Sequence, residues 1–369
     1  MHTPWGSLQE EVRRVEAAAA VAASPESIRH LAGVHFASQA MIRRRLAFAI
    51  IPAQGEPTLL VQAVLEGTAR SQGIIPQVAT YVTEPIEGLA RVLAGMDLPR
   101  GELLAELDFL PAADARALGD RLPGWFIRDA GDLFRTARQV RTPGEQEALR
   151  RCARAAERAI QVAVSMAAGG GVTEREVYAR MQDAMLRLGG GVIPFLTLSS
   201  GPERTLLTHA SPTDRLLQPG DLLLVDAVGF FAGLYTDMAR TVVVGEATGE
   251  QRDLYRRVRA MQQDVISAVR PGATAGEVYE KYLGSVKAHG VTYTYRYAGH
   301  STGYQVVEEP VLMAGSEARL LPGMVLCVEV KDRVPGVGAV QLEEIFLLTE
   351  EGPRIWTDLM ASDELPEIR

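Results

Sequence analysis

The sequence predicts two domains, a small α/β domain over residues 1–140 and an α+β domain over residues 141–369 that contains an internal repeat. A chain of 369 residues is longer than a single hydrophobic core usually supports. A helix start separates the two parts, because Thr142 is a candidate N-cap, Pro143 fits the first turn and Glu145 completes a capping box. The third observation is that two segments of the second part recur further along the chain.

The N-terminal part alternates predicted strands and helices. Residues 46–51 and 58–61 form a predicted hairpin around a turn at 55–57. The other segments are predicted helices at 64–71, 86–94 and 112–122 and predicted strands at 103–107 and 125–129. Residues 1–25, where acids and arginines are spaced along an alanine-rich stretch, are expected to be helical and therefore neither a signal peptide nor a membrane span. The pattern is that of a small α/β domain without a glycine loop for phosphate.

The second part contains an internal repeat. Residues 219–226 recur as residues 322–329 at an offset of 103, and residues 171–178 recur as residues 272–279. In each copy a helix and a Pro-Gly turn lead to an apolar strand that ends in an acid. If the two copies pack their sheets together, these acids meet at a pseudo-twofold axis.

Four acids interrupt apolar, strand-like runs of this repeat, and a histidine accompanies them. They are Asp226, Asp237, Glu329 and Glu343, with His300. Burying a lone carboxylate costs on the order of several kcal/mol unless a cation neutralises it. Any one of these acids would also fit a solvated strand end, but together they describe an oxygen and nitrogen site without thiolate ligands. Two divalent ions would balance four negative charges, which predicts a dinuclear hydrolase.

Composition limits the class of protein further. The net charge of −8, with both signs interspersed, argues against nucleic acid or an anionic membrane as a partner. No apolar run reaches the length of a membrane span. The two cysteines, Cys152 and Cys327, lie far apart and predict a reducing, cytoplasmic compartment without a disulfide framework.

Segments that contain these acids also carry a family resemblance. They are the hairpin at 224–241, the Gly-His-Ser-Thr-Gly sequence at 299–303, residues 322–329 and residues 341–343. They resemble the pita-bread metallopeptidases, the family of methionine aminopeptidase, aminopeptidase P, Xaa-Pro dipeptidase (prolidase) and the metal-free creatinase. The resemblance is strong over about residues 142–355, and the two-domain layout is most similar to a bacterial Xaa-Pro dipeptidase. It implies a pita-bread catalytic domain preceded by a creatinase-like N-terminal domain.

The resemblance implies a role for each matching residue. The expected ligands of two divalent ions, manganese, cobalt or zinc, are Asp226, Asp237, His300, Glu329 and Glu343. In such enzymes a hydroxide that bridges the metals cleaves the Xaa-Pro amide bond of dipeptides or very short peptides. Glu329 is expected to carry the proton to the leaving nitrogen, and His209 to donate a hydrogen bond to the substrate or the leaving amine. The implied partner is a small peptide, and the implied assembly is a homodimer.

The sequence also departs from that family. An offset of 98 places Val307 at the repeat position of His209, where relatives carry a second histidine. Gln341 stands where prolidases tend to carry arginine, and Leu234 where the family usually has tyrosine. These changes leave the metal ligands intact and put recognition of proline in question.

Other residues are candidates for substrate contacts. Arg296 and Tyr304 flank His300 and are the preferred candidates, with packing roles equally open for both. The basic cluster at 43–45 could reach a substrate carboxylate from a neighbouring subunit, although a solvated face is the favoured interpretation.

Two further functions stay open. Loss of the second histidine and of the arginine favours a metal-dependent hydrolase of a non-peptide amide or a small modified metabolite, on a creatinase-like scaffold. The alternative from another class is a non-catalytic binding protein of the same fold. Five intact ligand positions count against that last alternative.

Overall fold

The computed structural model describes residues 3–42, 44–291 and 295–369. The chain divides into two compact units, Met1–Gln139 and Val140–Arg369. Each unit has its own sheet. The predicted fold class is confirmed, with an α/β first unit and an α+β second unit.

The described residues of the first unit form a mixed sheet in the order β4-β3-β2-β1-β5-β6. The strands are β1 (Ala19–Ala22), β2 (Phe48–Pro52), β3 (Thr58–Gln62), β4 (Gln77–Tyr81), β5 (Glu102–Ala105) and β6 (Phe126–Asp129). The helices are α1 (Gly6–Arg14), α2 (Pro25–Ala32), α3 (Ala37–Met41), α4 (Glu66–Gln72), α5 (Pro85–Gly95), α6 (Ala112–Arg121) and α7 (Gly131–Ala137). The predicted hairpin is β2 and β3, which pair antiparallel.

The expectation of an alanine-rich helix over residues 1–25 is wrong. The helix ends at Arg14, and the alanines that follow form β1 in the middle of the sheet. β1 pairs antiparallel with β2 and parallel with β5, and all its residues are buried. Ala20 and Ala22 join the core on one face of the sheet, whereas Ala19 and Val21 join the core on the other. Burial on both faces and pairing on both edges therefore outweigh the local preference of alanine for helix.

The second unit begins at the predicted capped helix. Thr142 accepts a hydrogen bond from the backbone of Glu145, whose side chain accepts one from the backbone of Thr142. The helices are α8 (Pro143–Val164), α9 (Glu174–Arg187), α10 (Gly201–Arg204), α11 (Gly249–Ala268) and α12 (Ala275–Ala288). The strands are β7 (Val192–Ser200), β8 (Leu222–Phe231), β9 (Leu234–Val244), β10 (Tyr297–Ser301), β11 (Glu308–Met313), β12 (Val325–Val334), β13 (Gly338–Thr349), β14 (Gly352–Ile355) and β15 (Glu367–Ile368).

The strand order of this second sheet shows the internal repeat. The order is β11-β10-β12-β13-β9-β8-β7, with β14 paired to β13 and β15 to β9. From the central pair β13 and β9, each half runs outward through its hairpin partner, β12 or β8, to a further strand, β10 or β7. The two halves are therefore related by a pseudo-twofold axis between β13 and β9.

The helices repeat in the same way. α9 begins at a capping box of Thr173 and Glu176, and α12 begins at a capping box of Thr274 and Glu277. The hydrophobic core beside α8 and α9 is separate from the core beside α11 and α12. None of the described helices is both long and apolar enough to cross a bilayer.

Candidate active site

Five adjacent strands each carry one predicted ligand. In sheet order these are His300 on β10, Glu329 on β12, Glu343 on β13, Asp237 on β9 and Asp226 on β8. Glu329 lies opposite Glu343, Glu343 opposite Ala239, and Ala239 opposite Asp226, so three of the acids share one row across the sheet. Asp237 is two residues before Ala239 and projects from the same face. The repeat thus brings acids from distant parts of the sequence together.

Asp237, His300 and Glu343, which we call the trio, form a compact group. One ligand atom from each lies within 4.8 Å of the others. Nδ1 of His300 donates to the carbonyl oxygen of Ser301 at 3.1 Å, so the lone pair of its other nitrogen, Nε2, remains available. That Nε2 lies 3.9 Å from Oε1 of Glu343. Burial lowers the pKa of His300 to about 4, so the imidazole is neutral near pH 7, as a metal ligand must be.

The trio lacks the partners that buried charges need. Oδ1 of Asp237 and Oε1 of Glu343 are buried, and neither accepts a hydrogen bond within the described residues. Burial, together with the neighbouring carboxylates, raises the pKa of both acids well above the usual range. A divalent cation would supply the missing partner and relieve the repulsion between the acids. These residues therefore fit the predicted metal site.

Asp226 and Glu329, which we call the pair, have protein partners of their own. Nε2 of Gln341 donates to Oδ2 of Asp226 and to Oε1 of Glu329, both at 3.0 Å. Burial raises the pKa of Asp226, and the hydrogen bond from Gln341 and the charge of Lys331 oppose that rise. Burial and the charge of Asp226 raise the pKa of Glu329 to about 7. Gln341, noted in the sequence only as a departure from the family, therefore links the two acids of the pair.

Two residues close to these acids were not predicted from the sequence. Lys331 lies two residues after Glu329 and directly opposite Gln341, and it is 4% exposed. The ring of Tyr297 lies 5.9 Å from that of His300, and burial and four nearby carboxylates raise the pKa of Tyr297 to about 12. Side chains two residues apart on a strand project from the same face, so the spacing of Lys331 from Glu329 is a sequence signal that could have identified it. Tyr297 has no such signal, because the pairing of β10 with β11 is irregular between Tyr297 and His300.

His209 and its repeat counterpart Val307 are both exposed. His209 adopts a positive φ of 54°, and its ring packs edge to face against Phe195 with centroids 5.3 Å apart. One half of the repeat therefore offers an imidazole where the other offers a valine.

The two predicted substrate contacts have different surroundings. Tyr304 is 2% exposed, its hydroxyl donates to Glu145, and its ring lies 4.9 Å from the guanidinium of Arg141. Arg296 is exposed. The substrate role of both residues stays a prediction, and the contacts of Tyr304 give it a packing role as well.

The basic cluster of residues 43–45 belongs to the first unit. Arg43 lies outside the described residues. Arg44 pairs with Glu84 at 3.4 Å while its side chain is 75% exposed, and Arg45 donates to Gln62 at 2.8 Å. These surroundings agree with the favoured interpretation of a solvated face.

A buried ion-pair network supports the site from the opposite face of the sheet. Arg240 donates through Nη1 to the carbonyl oxygens of Glu343 at 2.7 Å and Ala239 at 3.0 Å. Its Nη2 donates to Glu157 at 3.0 Å and Glu344 at 2.9 Å. Because Ala239 and Glu343 lie opposite each other, Arg240 fixes the two central strands at the level of the acids.

Comparison with known proteins agrees with this geometry. The sequence pattern of metallopeptidase family M24 matches residues 147–350. The "Probable dipeptidase PepE" of Mycobacterium tuberculosis is 29% identical over 323 residues, which cover 85% of this chain and 84% of that protein. The Xaa-Pro dipeptidase of Lactobacillus delbrueckii subsp. lactis is 28% identical over 92% of each chain. The structure of an Xaa-Pro dipeptidase from Bacillus anthracis matches 99% of each chain with a TM-score of 0.87 at 21% identity, which confirms the pita-bread fold.

Proposed function

Because the chain belongs to metallopeptidase family M24 and is therefore a peptidase, we propose that it cleaves the Xaa-Pro amide bond of dipeptides and very short peptides with two divalent metal ions. Relatives named as an Xaa-Pro dipeptidase and a dipeptidase, which align with most of the chain, support the substrate class. The structural observation that carries the proposal is the buried trio, with two carboxylate oxygens that lack partners, next to the pair.

The proposed metal ligands are the trio and the pair together. They are Asp226, Asp237, His300, Glu329 and Glu343. Divalent ions held by them would supply Lewis acidity, which lowers the pKa of water and polarises the amide carbonyl. Manganese, cobalt and zinc all suit a site with carboxylate oxygens and a single imidazole.

Glu329 is the proposed proton carrier. Its Oε1 accepts the hydrogen bond from Gln341, so Oε2 is the oxygen that takes a proton from water and passes it to the leaving nitrogen. His209, which is exposed, is the proposed hydrogen-bond donor to the substrate.

The proposal extends to location and assembly. Both cysteines are free and buried, which suits the reducing environment of the cytoplasm. The family resemblance supports a homodimer.

Metal analysis combined with a peptide panel tests the proposal. The purified protein, a chelator-stripped sample and samples reloaded with manganese, cobalt or zinc are assayed against Xaa-Pro dipeptides, Xaa-Ala dipeptides and Xaa-Pro tripeptides. We expect two ions per chain, loss of activity on stripping, recovery on reloading, and a preference for Xaa-Pro dipeptides. If no Xaa-Pro dipeptide is cleaved while both ions are bound, the proposal is wrong.

A non-peptide amide is the second candidate substrate. Val307 and Gln341 favour it, because two groups that relatives place around proline are absent there. A metal-reloaded protein that cleaves no peptide but hydrolyses members of a panel of small amides would establish this function. A protein that binds no metal and hydrolyses neither panel would instead be a binding protein of the same fold.

A further inference from the structure

Lys331 is an almost fully buried lysine on the strand that carries Glu329. Only 4% of the residue is exposed. Within the described residues its side chain makes no hydrogen bond and no ion pair shorter than 4.0 Å. Removal of a lone charge from water is costly, so a buried ammonium ordinarily has an anionic or hydrogen-bonding partner.

The other buried cations of the described residues follow this rule. Arg138 lies 3.8 Å from Glu106, Arg141 pairs with Glu308, and Arg240 pairs with Glu157 at 3.0 Å. In each case both members of the ion pair are buried. Lys331 is therefore the exception among these cations.

Lys331 lies on the face of the sheet that carries the pair, although neither acid forms a close ion pair with it. It projects from the same face of β12 as Glu329, two residues further along the strand. One oxygen of each of these acids is already occupied by the amide of Gln341, which lies opposite Lys331. Lys331 thus lies beside the pair, and within the described residues its ammonium donates no hydrogen bond.

We propose that Lys331 binds the C-terminal carboxylate of the substrate, which restricts the site to peptides whose free carboxylate lies one residue beyond the cleaved bond. This inference rests on the proposed function. A substrate carboxylate would give the ammonium an anionic partner within hydrogen-bond distance, with charge-assisted hydrogen bonds. A longer peptide, or a dipeptide with an amidated C-terminus, would place a neutral group there and leave the ammonium unpaired.

Two substrates that differ only in that group test the proposal. The dipeptide Ala-Pro and its C-terminal amide are compared in the metal-loaded wild type and in Lys331→Met, Lys331→Arg and the control Arg333→Met, an exposed cation further along the same strand. The wild type should prefer the free carboxylate by about 10- to 100-fold in kcat/KM, the range for loss of one charge-assisted hydrogen bond. Lys331→Met should lose this preference because its KM for the free dipeptide rises. Lys331→Arg should keep part of the preference, and Arg333→Met should behave as the wild type does.

Two outcomes would overturn the proposal. A preference that persists in Lys331→Met, or an equal loss on both substrates, would make Lys331 only a counter-charge for the acids. Metal content and circular dichroism of each variant are measured alongside, and Lys331→Gln serves as a second neutral variant if Lys331→Met does not fold.

A binding measurement separates failure of this inference from failure of the proposed function. Ala-Pro and its amide are titrated calorimetrically into the metal-loaded protein. If the wild type cleaves neither compound but binds Ala-Pro in a manner lost in Lys331→Met, the peptidase substrate is wrong and the carboxylate site stands. Equal binding of both compounds by the wild type and by Lys331→Met would contradict the carboxylate site itself.

Discussion

The trio and the pair lie on the same face of one sheet, yet their carboxylates differ in the hydrogen-bond partners that the protein provides. In the trio, one oxygen of Asp237 and one of Glu343 have no partner within the described residues. In the pair, both acids accept hydrogen bonds from Gln341, and the charge of Lys331 acts on both. The trio therefore needs a cation from outside the chain, whereas the pair is partly stabilised by the chain itself. This difference agrees with the proposal that Glu329 of the pair, besides binding metal, carries a proton.

The largest effect is expected from the proton carrier of the pair. Glu329→Gln keeps the shape and one carbonyl oxygen of the side chain but cannot accept a proton. We expect kcat to fall by ~10²–10⁴-fold. The melting temperature of the metal-stripped protein should not decrease, because the change removes a buried negative charge. Steady-state kinetics, metal analysis and thermal melts measure these quantities.

The control for this variant is Glu309→Gln, which neutralises an exposed carboxylate. It should keep wild-type kinetics. A Glu329→Gln protein that binds its metal and turns over at nearly the wild-type rate would assign the proton transfer to another residue.

The second comparison uses the two counterparts in the repeat. His209→Ala should lower kcat/KM by ~10²–10³-fold, the range for removal of one positioned hydrogen-bond donor. Val307→Ala, the matched change in the other half of the repeat, should have little effect because valine offers no hydrogen bond. Similar losses in both variants would mean that loop packing, rather than the imidazole, matters at these positions. Val307→His, which restores the missing counterpart, should change the rate on Xaa-Pro dipeptides if this loop faces the substrate.

The sequence predicted those parts of the site that depend on local pattern. An acid inside an apolar run is visible without a structure, and the repeat offset of 103 related Asp226 to Glu329. The roles of Gln341 and Lys331 were not visible, because they depend on the register of β12 against β13. Tyr304 is close to His300 in sequence, but its hydroxyl bonds to Glu145, 159 residues away.

The same limit applies to the fold. The hairpin of β2 and β3 has a turn signal between two apolar runs, so local sequence predicted it. The strand Ala19–Ala22 has no such signal, and its conformation is decided by neighbours that pair with it from distant parts of the chain.

The smallest expected effect is a pH dependence of the metal-stripped protein. Burial and the charge of Asp226 raise the pKa of Glu329 from its ordinary value of 4.5 to about 7, and burial and the neighbouring carboxylates raise the pKa of Asp237 and Glu343 well above their usual range. The folded state therefore binds these protons more tightly than the unfolded state does. The free energy of unfolding should fall as pH rises from about 5 to about 8, by on the order of 1–3 kcal/mol for Glu329 alone. Denaturant titrations of stripped protein at both pH values measure the change.

Two substitutions turn this pH dependence into a test of the difference between the trio and the pair. Asp237→Asn removes a charge that has no hydrogen-bond partner at Oδ1, so it should stabilise the stripped protein at about pH 8 and flatten the pH dependence. Asp226→Asn should have a smaller effect on both quantities, because Gln341 and Lys331 already stabilise that carboxylate. In metal-loaded protein Asp237→Asn should instead destabilise, since a ligand of the bound ion is lost. Equal effects of the two substitutions in stripped protein would show that the partners of Asp226 do not stabilise its charge, and the distinction between the trio and the pair would then fail.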